Sequence, residues 1–256
     1  MTHVLALSGG KDSTALALAM KEREPDVSMT YVYTPTGDEL PDMVEHWQNL
    51  ECLLGSSVVN VSDGFTLREL VRDSHMLPNF RARYCTRIIK IQRFEYWLNA
   101  NLPAVVYIGL RADEEDREGG RFDCIDGCSV RFPLREWGWG ITEVRGYLAN
   151  RGVQIPRRTD CARCFYQTLS EWWTLWRDHP DIWADAVEDE RVVSEARDKR
   201  HTYRSAQRDT WPAALADLGA EFASGKVPKN RHGIPANQLD LGMDVDRSAM
   251  CSWCAR

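Results

Sequence analysis

The sequence predicts an α/β protein, a mostly parallel, doubly wound sheet followed by a helical, cysteine-bearing C-terminal part. Three observations carry this expectation. Short β-branched or aromatic runs alternate with longer amphipathic runs through the first part of the chain. Loops rich in glycine and charge follow three of the predicted strands directly, where parallel sheets collect ligands. From about Gln154 onward no strand pattern is evident, and long Trp-rich helical runs take over.

In chain order, "THVLALS" reads as a short buried strand and "STALALAMKERE" as the helix it feeds. "VSMTYVYT" is a second strand closed by the turn "PTGDELP", followed by the helix "DMVEHWQNLECLLG" and the strand "SVVNVS". A basic helix, "YCTRIIKIQRFEYWLNAN", leads to the strand "AVVYIGL". "TLSEWWTLWRDHPDIWADAVEDE" is the clearest later helical stretch, and the loop "GKVPKNRHGIPANQ" interrupts the helical part. Trp172, Trp173, Trp176 and Trp183 fall mostly on one helical face, a pattern expected for core packing rather than base stacking.

The chain has 256 residues, 43% of them hydrophobic and 27% charged, enough for one good core and a small appended domain. The start "MTHVLALSGG" does not read as a signal peptide, and no apolar run approaches spanning length, so a cytoplasmic protein without a membrane is expected. A net charge of −6 excludes indiscriminate affinity for nucleic acid. Basic residues nevertheless cluster locally, at Arg81, Arg83, Arg87, Lys90 and Arg93 and again at Arg197, Lys199, Arg200, Arg204 and Arg208.

The stretch "LALSGGKDSTALALAM" sets a strand, a glycine turn and a helix end to end. Such a junction gathers unpaired backbone N–H groups and the positive end of a helix dipole at one point, which binds phosphate. Gly9 and Gly10 allow consecutive N–H groups to aim into one concavity, Ser8 and Ser13 add hydroxyls, and Lys11 adds a cation. It lacks the glycine spacing of a Walker loop. The competing reading is a glycine turn that merely caps a helix. "PTGDE" and "RADEEDR" also follow predicted strands, so all three loops are expected at one crevice.

Eight cysteines exceed what packing usually requires, and a reducing compartment argues against a disulfide framework. Cys161-x-x-Cys164 and Cys251-x-x-Cys254 are two chelating pairs that together make a closed four-sulfur site for zinc or an iron–sulfur cluster, which spacing alone does not separate. Cys124 and Cys128, in a loop-like stretch, read as a redox pair or as incidental. Cys52 is expected on a helix facing apolar neighbours.

"SGGKDS", "YTPTGDELPDM", "CTRIIKIQRF", "YIGLRADEEDR" and "VRFPLREWGWGITEVRGYLANRGVQIP" leading to "DCARC", taken in order, resemble the PP-loop superfamily of adenine-nucleotide α-hydrolases, specifically its phosphoadenosine phosphosulfate reductase-like family. The resemblance spans roughly Val4 to Cys164. It implies a Rossmann-like, PP-loop-type domain over residues 1–155 and a helical region with the four-cysteine metal site over residues 156–256. It also implies an adenine nucleotide, ATP or an adenylyl sulfate, held by Ser8, Gly9, Gly10, Lys11, Asp12, Ser13, Thr36, Gly37, Gly109 and Arg111. Lys11, Asp12 and Arg111 would be catalytic, with Arg111 neutralising charge on the phosphates. Mg2+ would accompany the nucleotide, and Asp12 either lines the cradle or instead helps to hold that ion; Asp38 and Glu39 are either magnesium ligands or ordinary turn acids. Arg87 and Lys90, one helical turn apart, would be secondary phosphate contacts or a solvated basic face.

Reductases in this family hold a [4Fe-4S] cluster through a tandem cysteine pair at the position of Cys85 and a later Cys-x-x-Cys, and DNA phosphorothioation enzymes of the superfamily carry a four-cysteine cluster. Here Tyr84 precedes Cys85, so Cys85 is an alternative ligand to the C-terminal pair, and the resemblance favours [4Fe-4S] over Zn2+. The chain also departs from the reductase pattern in ending "SAMCSWCAR", without the Glu-Cys-Gly-Leu/Ile-His motif that supplies the reductase nucleophile. The leading expectation is therefore adenylyl transfer with pyrophosphate release, for sulfur transfer to a nucleic acid or a small molecule, with a sulfur-donor protein as a further partner. Sulfonucleotide reduction is the second reading and a non-catalytic nucleotide-binding module with structural zinc the third; the second substrate and the oligomeric state stay open.

Overall fold

The computed structural model describes residues 1–229 and 235–238. The described residues gather into two compact units, one formed by Met1–Gly64 and Thr86–Asp160, the other by Phe65–Cys85 and the described residues from Cys161 onward.

The first unit is a five-stranded sheet of β1 (Thr2–Ala6), β2 (Met29–Tyr33), β3 (Val59–Asn60), β4 (Ala104–Tyr107) and β5 (Cys128–Arg131), in the order β3-β2-β1-β4-β5. Every pairing is parallel; Leu5 lies opposite Tyr31 of β2 and Tyr107 of β4. Parallel strands bury both faces, and alternation along β1 makes the division visible. Leu5 and Leu7 join a core with Tyr31, Val105 and Tyr107, covered by α1 (Lys11–Arg23), α2 (Pro41–Leu54) and, after the short helical turn α5 (Pro133–Glu136), by α6 (Ile141–Asn150). Val4 and Ala6 join the opposite core with Val32, Val106 and Ile108, where Phe94 and Leu98 of α4 (Gln92–Asn99) pack, preceded by α3 (Leu67–Ser74) in the chain but not in the unit. The expected α/β class and doubly wound parallel sheet are thus what the chain forms.

Local chemistry explains the helix ends. Pro41 occupies the first turn of α2 and Gly55, in the left-handed region at φ 65°, closes it. Thr66 and Glu69 form a capping box on α3, as Thr168 and Glu171 do on α7 (Leu169–Asp178).

In the second unit α7 is joined by α8 (Pro180–Ala196) and α9 (Leu215–Ala223), and α3 packs on α8. Trp172 is fully buried, Trp173 and Trp183 nearly so, and Trp176 rests against Phe222, in line with the expected core role. Arg163 donates to Asp189 at 2.6 Å and Tyr203 adds its hydroxyl to the same carboxylate at 3.2 Å.

Several expectations are corrected. "CIDGCSV" is not all loop, since Cys128 begins the edge strand β5. "TRIIKI" is a π-helical turn over Thr86–Ile91, so Arg87 and Lys90 are not stacked as in an α-helix; Arg87 is exposed while Lys90 is half-buried. Cys52 lies exposed on the outer side of α2, whose buried face is Met43, His46, Leu50 and Leu54. Arg204, expected on a basic surface, is 1% exposed and paired with Asp209, because its guanidinium also serves the Pro212 carbonyl. Arg200 pairs with Asp217, and Arg197 donates to the carbonyls of His75 and Ser74, so that second basic run is largely spent on holding its own unit together.

Candidate nucleotide site

The strand order reverses direction between β1 and β4, and the loops leaving their carboxyl ends face each other there. β1 runs into Ser8–Gly9–Gly10, and α1 starts at Lys11 with Gly10 as its cap. The turn is internally braced. Gly10 donates its N–H to Ser8 Oγ at 3.3 Å, the hydroxyls of Ser8 and Ser13 share a hydrogen bond at 2.9 Å, and Ser13 donates to the Gly10 carbonyl at 3.1 Å.

Glycine is required at two points. Gly9 sits at φ 77°, and a Cβ there would stand 2.1 Å from Met43 Cε and 2.5 Å from Trp47 Nε1. Gly109, at the end of β4, lets that strand approach the first turn of α1: a Cβ would meet Asp12 C and Ser13 N at 3.1 Å.

Across this contact the charged side chains meet. Arg111 Nη1 is 3.1 Å from Asp12 Oδ2, Arg111 Nε donates to Asp113 Oδ1 at 2.8 Å, and Glu114 Oε1 lies 3.7 Å from Nη2. Lys11 Nζ is 3.5 Å from Asp12 Oδ2. The Arg111 side chain is only 4% exposed. Burial opposes its charge, but Asp12, Asp113 and Glu114 more than offset this and hold its pKa above the ordinary value. For Asp12 burial prevails over Lys11 and Arg111, and its carboxyl is pushed above the usual range.

The structure therefore brings Ser8, Gly9, Gly10, Lys11, Asp12, Ser13, Gly109 and Arg111 together. Thr36 and Gly37 sit in the loop off the adjoining strand β2, at the same edge of the sheet. There Glu39 acts as a turn acid, its Oε1 accepting both the N–H and the hydroxyl of Thr36 at 2.7 Å; Asp38 is buried.

Three contributors escape sequence reasoning. His46 and Trp47 of α2 wall the cradle: His46 Nε2 lies 3.4 Å from Thr14 Oγ1 and the imidazole bonds to the Gly9 backbone, while burial depresses its pKa. The Trp47 indole nitrogen is buried with no hydrogen-bond partner among the described residues. Asp113 fastens the arginine loop elsewhere by accepting the Ile141 N–H at 2.9 Å. The i, i+3, i+4 spacing of Met43, His46 and Trp47 marks one helix face, but nothing in it says that this face meets a glycine turn.

The second unit holds Cys85, Cys161 and Cys164. Cys164 donates its N–H to the Cys161 carbonyl at 3.1 Å, and Gln167 braces this turn through its side-chain amide to the Ala162 carbonyl at 2.6 Å. Cys251 and Cys254 lie outside the described residues. Among the described residues no group of three or more His, Cys, Asp or Glu is poised for a metal, so Cys85 does not join Cys161 and Cys164 in a three-donor set. Cys124 and Cys128 form no disulfide, and burial, with Asp123, raises the Cys128 thiol above its ordinary pKa, the opposite of a reactive thiolate. No described helix is long and apolar enough to cross a membrane.

A family model described as "Phosphoadenosine phosphosulfate reductase domain" matches residues 2–157. Among solved structures, a phosphoadenylyl-sulfate (PAPS) reductase from Candida auris in a phosphate complex matches at 13% identity and a TM-score of 0.46, over 60% of this chain and 75% of that one. The U34-tRNA thiolase NcsA from Methanococcus maripaludis with its [4Fe-4S] cluster matches at 18% identity and a TM-score of 0.47, over 76% of this chain and 73% of that one. No curated protein matches the chain.

Proposed function

The chain belongs to the phosphoadenosine phosphosulfate reductase domain family, and from that premise we propose that it is an adenylyl-transfer enzyme binding ATP at Ser8–Ser13. The observation that carries this reading is the arrangement at the β1/β4 switch point, where a glycine turn at a helix N-terminus is overhung by Lys11 and the buried Arg111. The cradle fits a polyphosphate: Gly9, at φ 77°, lets the turn close against Met43 and Trp47, and the buried Trp47 N–H there has no acceptor among the described residues.

In the proposed reaction an oxygen of the second substrate attacks the α-phosphorus, the bond to the bridging α–β oxygen breaks, and pyrophosphate leaves with the electron pair. Backbone N–H groups of the turn and Lys11 hold the departing phosphates, and Arg111 offsets the charge that grows on them. Asp12 positions both cations. It is also the carboxylate in the cradle available to Mg2+ entering with the nucleotide. The resulting adenylate is then displaced by sulfur, with AMP leaving.

Cys161 and Cys164 supply the paired thiolates of a chelating turn, and Cys251 and Cys254 complete the proposed ligand set. An iron–sulfur cluster, preferred here to zinc, would bring sulfide-bearing iron for sulfur delivery. A nucleic-acid substrate and a sulfur-donor protein are part of the same proposal, as is a cytoplasmic location.

Calorimetry with ATP and with adenylyl sulfate, run beside a pyrophosphate-release assay, tests the reading. ATP binding that weakens in Lys11→Ala, with pyrophosphate released in the presence of a nucleophilic substrate, supports it. Binding of adenylyl sulfate but not ATP would replace it with sulfonucleotide reduction.

A further inference from the structure

The second unit carries a feature that the nucleotide site does not use. The segment "HMLPNFRARYC", residues 75–85, contains no acidic residue. Asn79 folds it into a tight turn: the backbones of Asn79 and Ala82 exchange hydrogen bonds at 3.2 Å, and Asn79 Oδ1 accepts the N–H groups of Arg81 and Ala82 at 3.0 Å. Buried Tyr84 pins the base of the turn through its hydroxyl to the Met76 carbonyl. The tip is thereby held, and it presents Phe80, 49% exposed, beside an exposed Arg81.

Phe80 packs edge-on against Phe165 and Tyr166, with ring centroids 5.2 and 4.8 Å away. Arg83 lies over the Tyr166 ring at 5.6 Å and Arg208 over Phe80 at 6.0 Å, and Arg208 also donates to the carbonyls of Phe165 and Tyr166 at 3.3 Å. The segment "CARCFYQT", residues 161–168, likewise has no acidic residue. In a chain of net charge −6, these two segments carry arginines and exposed aromatic surface with no acid of their own, although Arg163 is paired with Asp189 and Asp209 follows Arg208.

We infer that this patch binds single-stranded nucleic acid, with a base stacked on the Phe80–Tyr166 surface and the flanking phosphates against Arg81, Arg83 and Arg208. An acidic peptide would engage the guanidiniums but leave the apolar ring uncovered, and a duplex hides the base faces that the ring would contact. Binding here stands independently of adenylyl transfer; only the further claim that this strand is the second substrate rests on that reading.

Fluorescence anisotropy with a labelled single strand of about 12 nucleotides, in RNA and DNA forms, tests the patch in the full chain. The single strand should bind about 10-fold or more tightly than its duplex. Phe80→Ala should weaken binding on the order of 5- to 100-fold while Phe80→Trp retains it. Arg81→Ala, at an exposed position, should reduce the slope of log affinity against log salt by about 0.7. ATP affinity of Phe80→Ala should equal that of the wild type. Absent binding, equal affinity for duplex, or an unchanged affinity in both Phe80→Ala and Arg81→Ala overturns the inference. Retained oligonucleotide binding in a protein that binds no ATP refutes adenylyl transfer and leaves the patch standing.

Discussion

Arg111 Nη1 stands 3.1 Å from Asp12 Oδ2, a contact that ties the loop after β4 to the first turn of α1. Arg111 divides its guanidinium among Asp12, Asp113 and Glu114, so its position is set by three carboxylates, one on α1 and two in its own loop. A planar fork can satisfy such a set and a point charge cannot.

Arg111→Lys is therefore expected to keep nucleotide affinity within a few-fold while lowering turnover by roughly 10²-fold, as for loss of one transition-state donor. Arg111→Ala should in addition cost about 3–5 kcal/mol in chemical denaturation, because it leaves partly buried carboxylates without their cation. Steady-state kinetics beside urea melts separate the two effects.

Asp12 supplies a case in which function and stability oppose each other. Burial raises its folded pKa, so ionising it costs more in the folded than in the unfolded chain, and its contribution to stability declines as pH rises above the usual carboxylate range. Relative to Asp12→Asn, the wild type should lose melting temperature as pH rises from 3.8, the group's ordinary value, to neutral, whatever the fixed cost of taking one carboxylate from Arg111. Pyrophosphate release should fall in the same variant. A variant that melts lower at neutral pH and higher in acid would reverse the sign assigned here.

Gly9 and Gly64 separate steric closure from backbone strain. Both have positive φ, 77° and 74°, but a Cβ at Gly64 would meet nothing within 4 Å, whereas one at Gly9 collides with Met43 and Trp47. Gly64→Ala should cost about 1 kcal/mol from its left-handed backbone alone. Gly9→Ala should cost roughly 2–4 kcal/mol and abolish nucleotide binding, since its Cβ would displace Met43 and Trp47, against which the cradle is closed. Thermal melts and calorimetry on the two variants check the contrast.

How far the sequence discloses this protein depends on whether a pattern is local. β1, β2 and β4 are legible because Val, Leu and Tyr run together between turn residues, and the cradle is legible because a strand, a glycine pair and a helix are contiguous. β5 was hidden: "CSVR" has a single β-branched residue and takes its strand geometry from pairing with β4. Helix α3 carried its signal in Thr66 and Glu69, a capping box that a search for hydrophobic periodicity passes over. His46 and Trp47 were unreadable as site residues, because only the packing of α2 on the glycine turn gives them that place. Arg204 shows the reverse error, where a cluster of basic letters suggested a surface and one member proved to be a buried structural cation.

Glu190 makes the second unit sensitive to pH. Burial pushes its carboxyl up to about 7, against the pull of the Leu215 and Tyr203 N–H groups it accepts at 2.8 and 2.9 Å. With an unfolded value of 4.5, the folded chain binds the extra proton between these limits, so this group's stabilisation is complete below 4.5 and lost as pH rises through about 7. Melting temperature should fall across that window in the wild type and fall less in Glu190→Gln, whatever the overall cost of replacing one acceptor oxygen. Parallel slopes in the two proteins would assign the pH dependence to other groups.

The cysteines give the last test, because the two chelating pairs lie far apart in the chain and a third candidate, Cys85, is not gathered with the described pair. A closed four-thiolate site loses most of its affinity when one ligand is removed, and the binding energy that orders its loops goes with it. Cys161→Ser and Cys254→Ser, purified anaerobically, should each lose iron and sulfide and become more susceptible to proteolysis near the C-terminal end. Cys52→Ser should do neither, since Cys52 is an exposed residue on the outer side of α2 in the other unit. Cys85→Ser decides between ligand sets. Full metal in Cys85→Ser with loss in both Cys251→Ser and Cys254→Ser assigns the site to the two Cys-x-x-Cys pairs. Loss in Cys85→Ser with retention in either C-terminal variant assigns it to the reductase-like set, and a colourless protein with one zinc per chain would remove the cluster and its sulfur chemistry from the proposal.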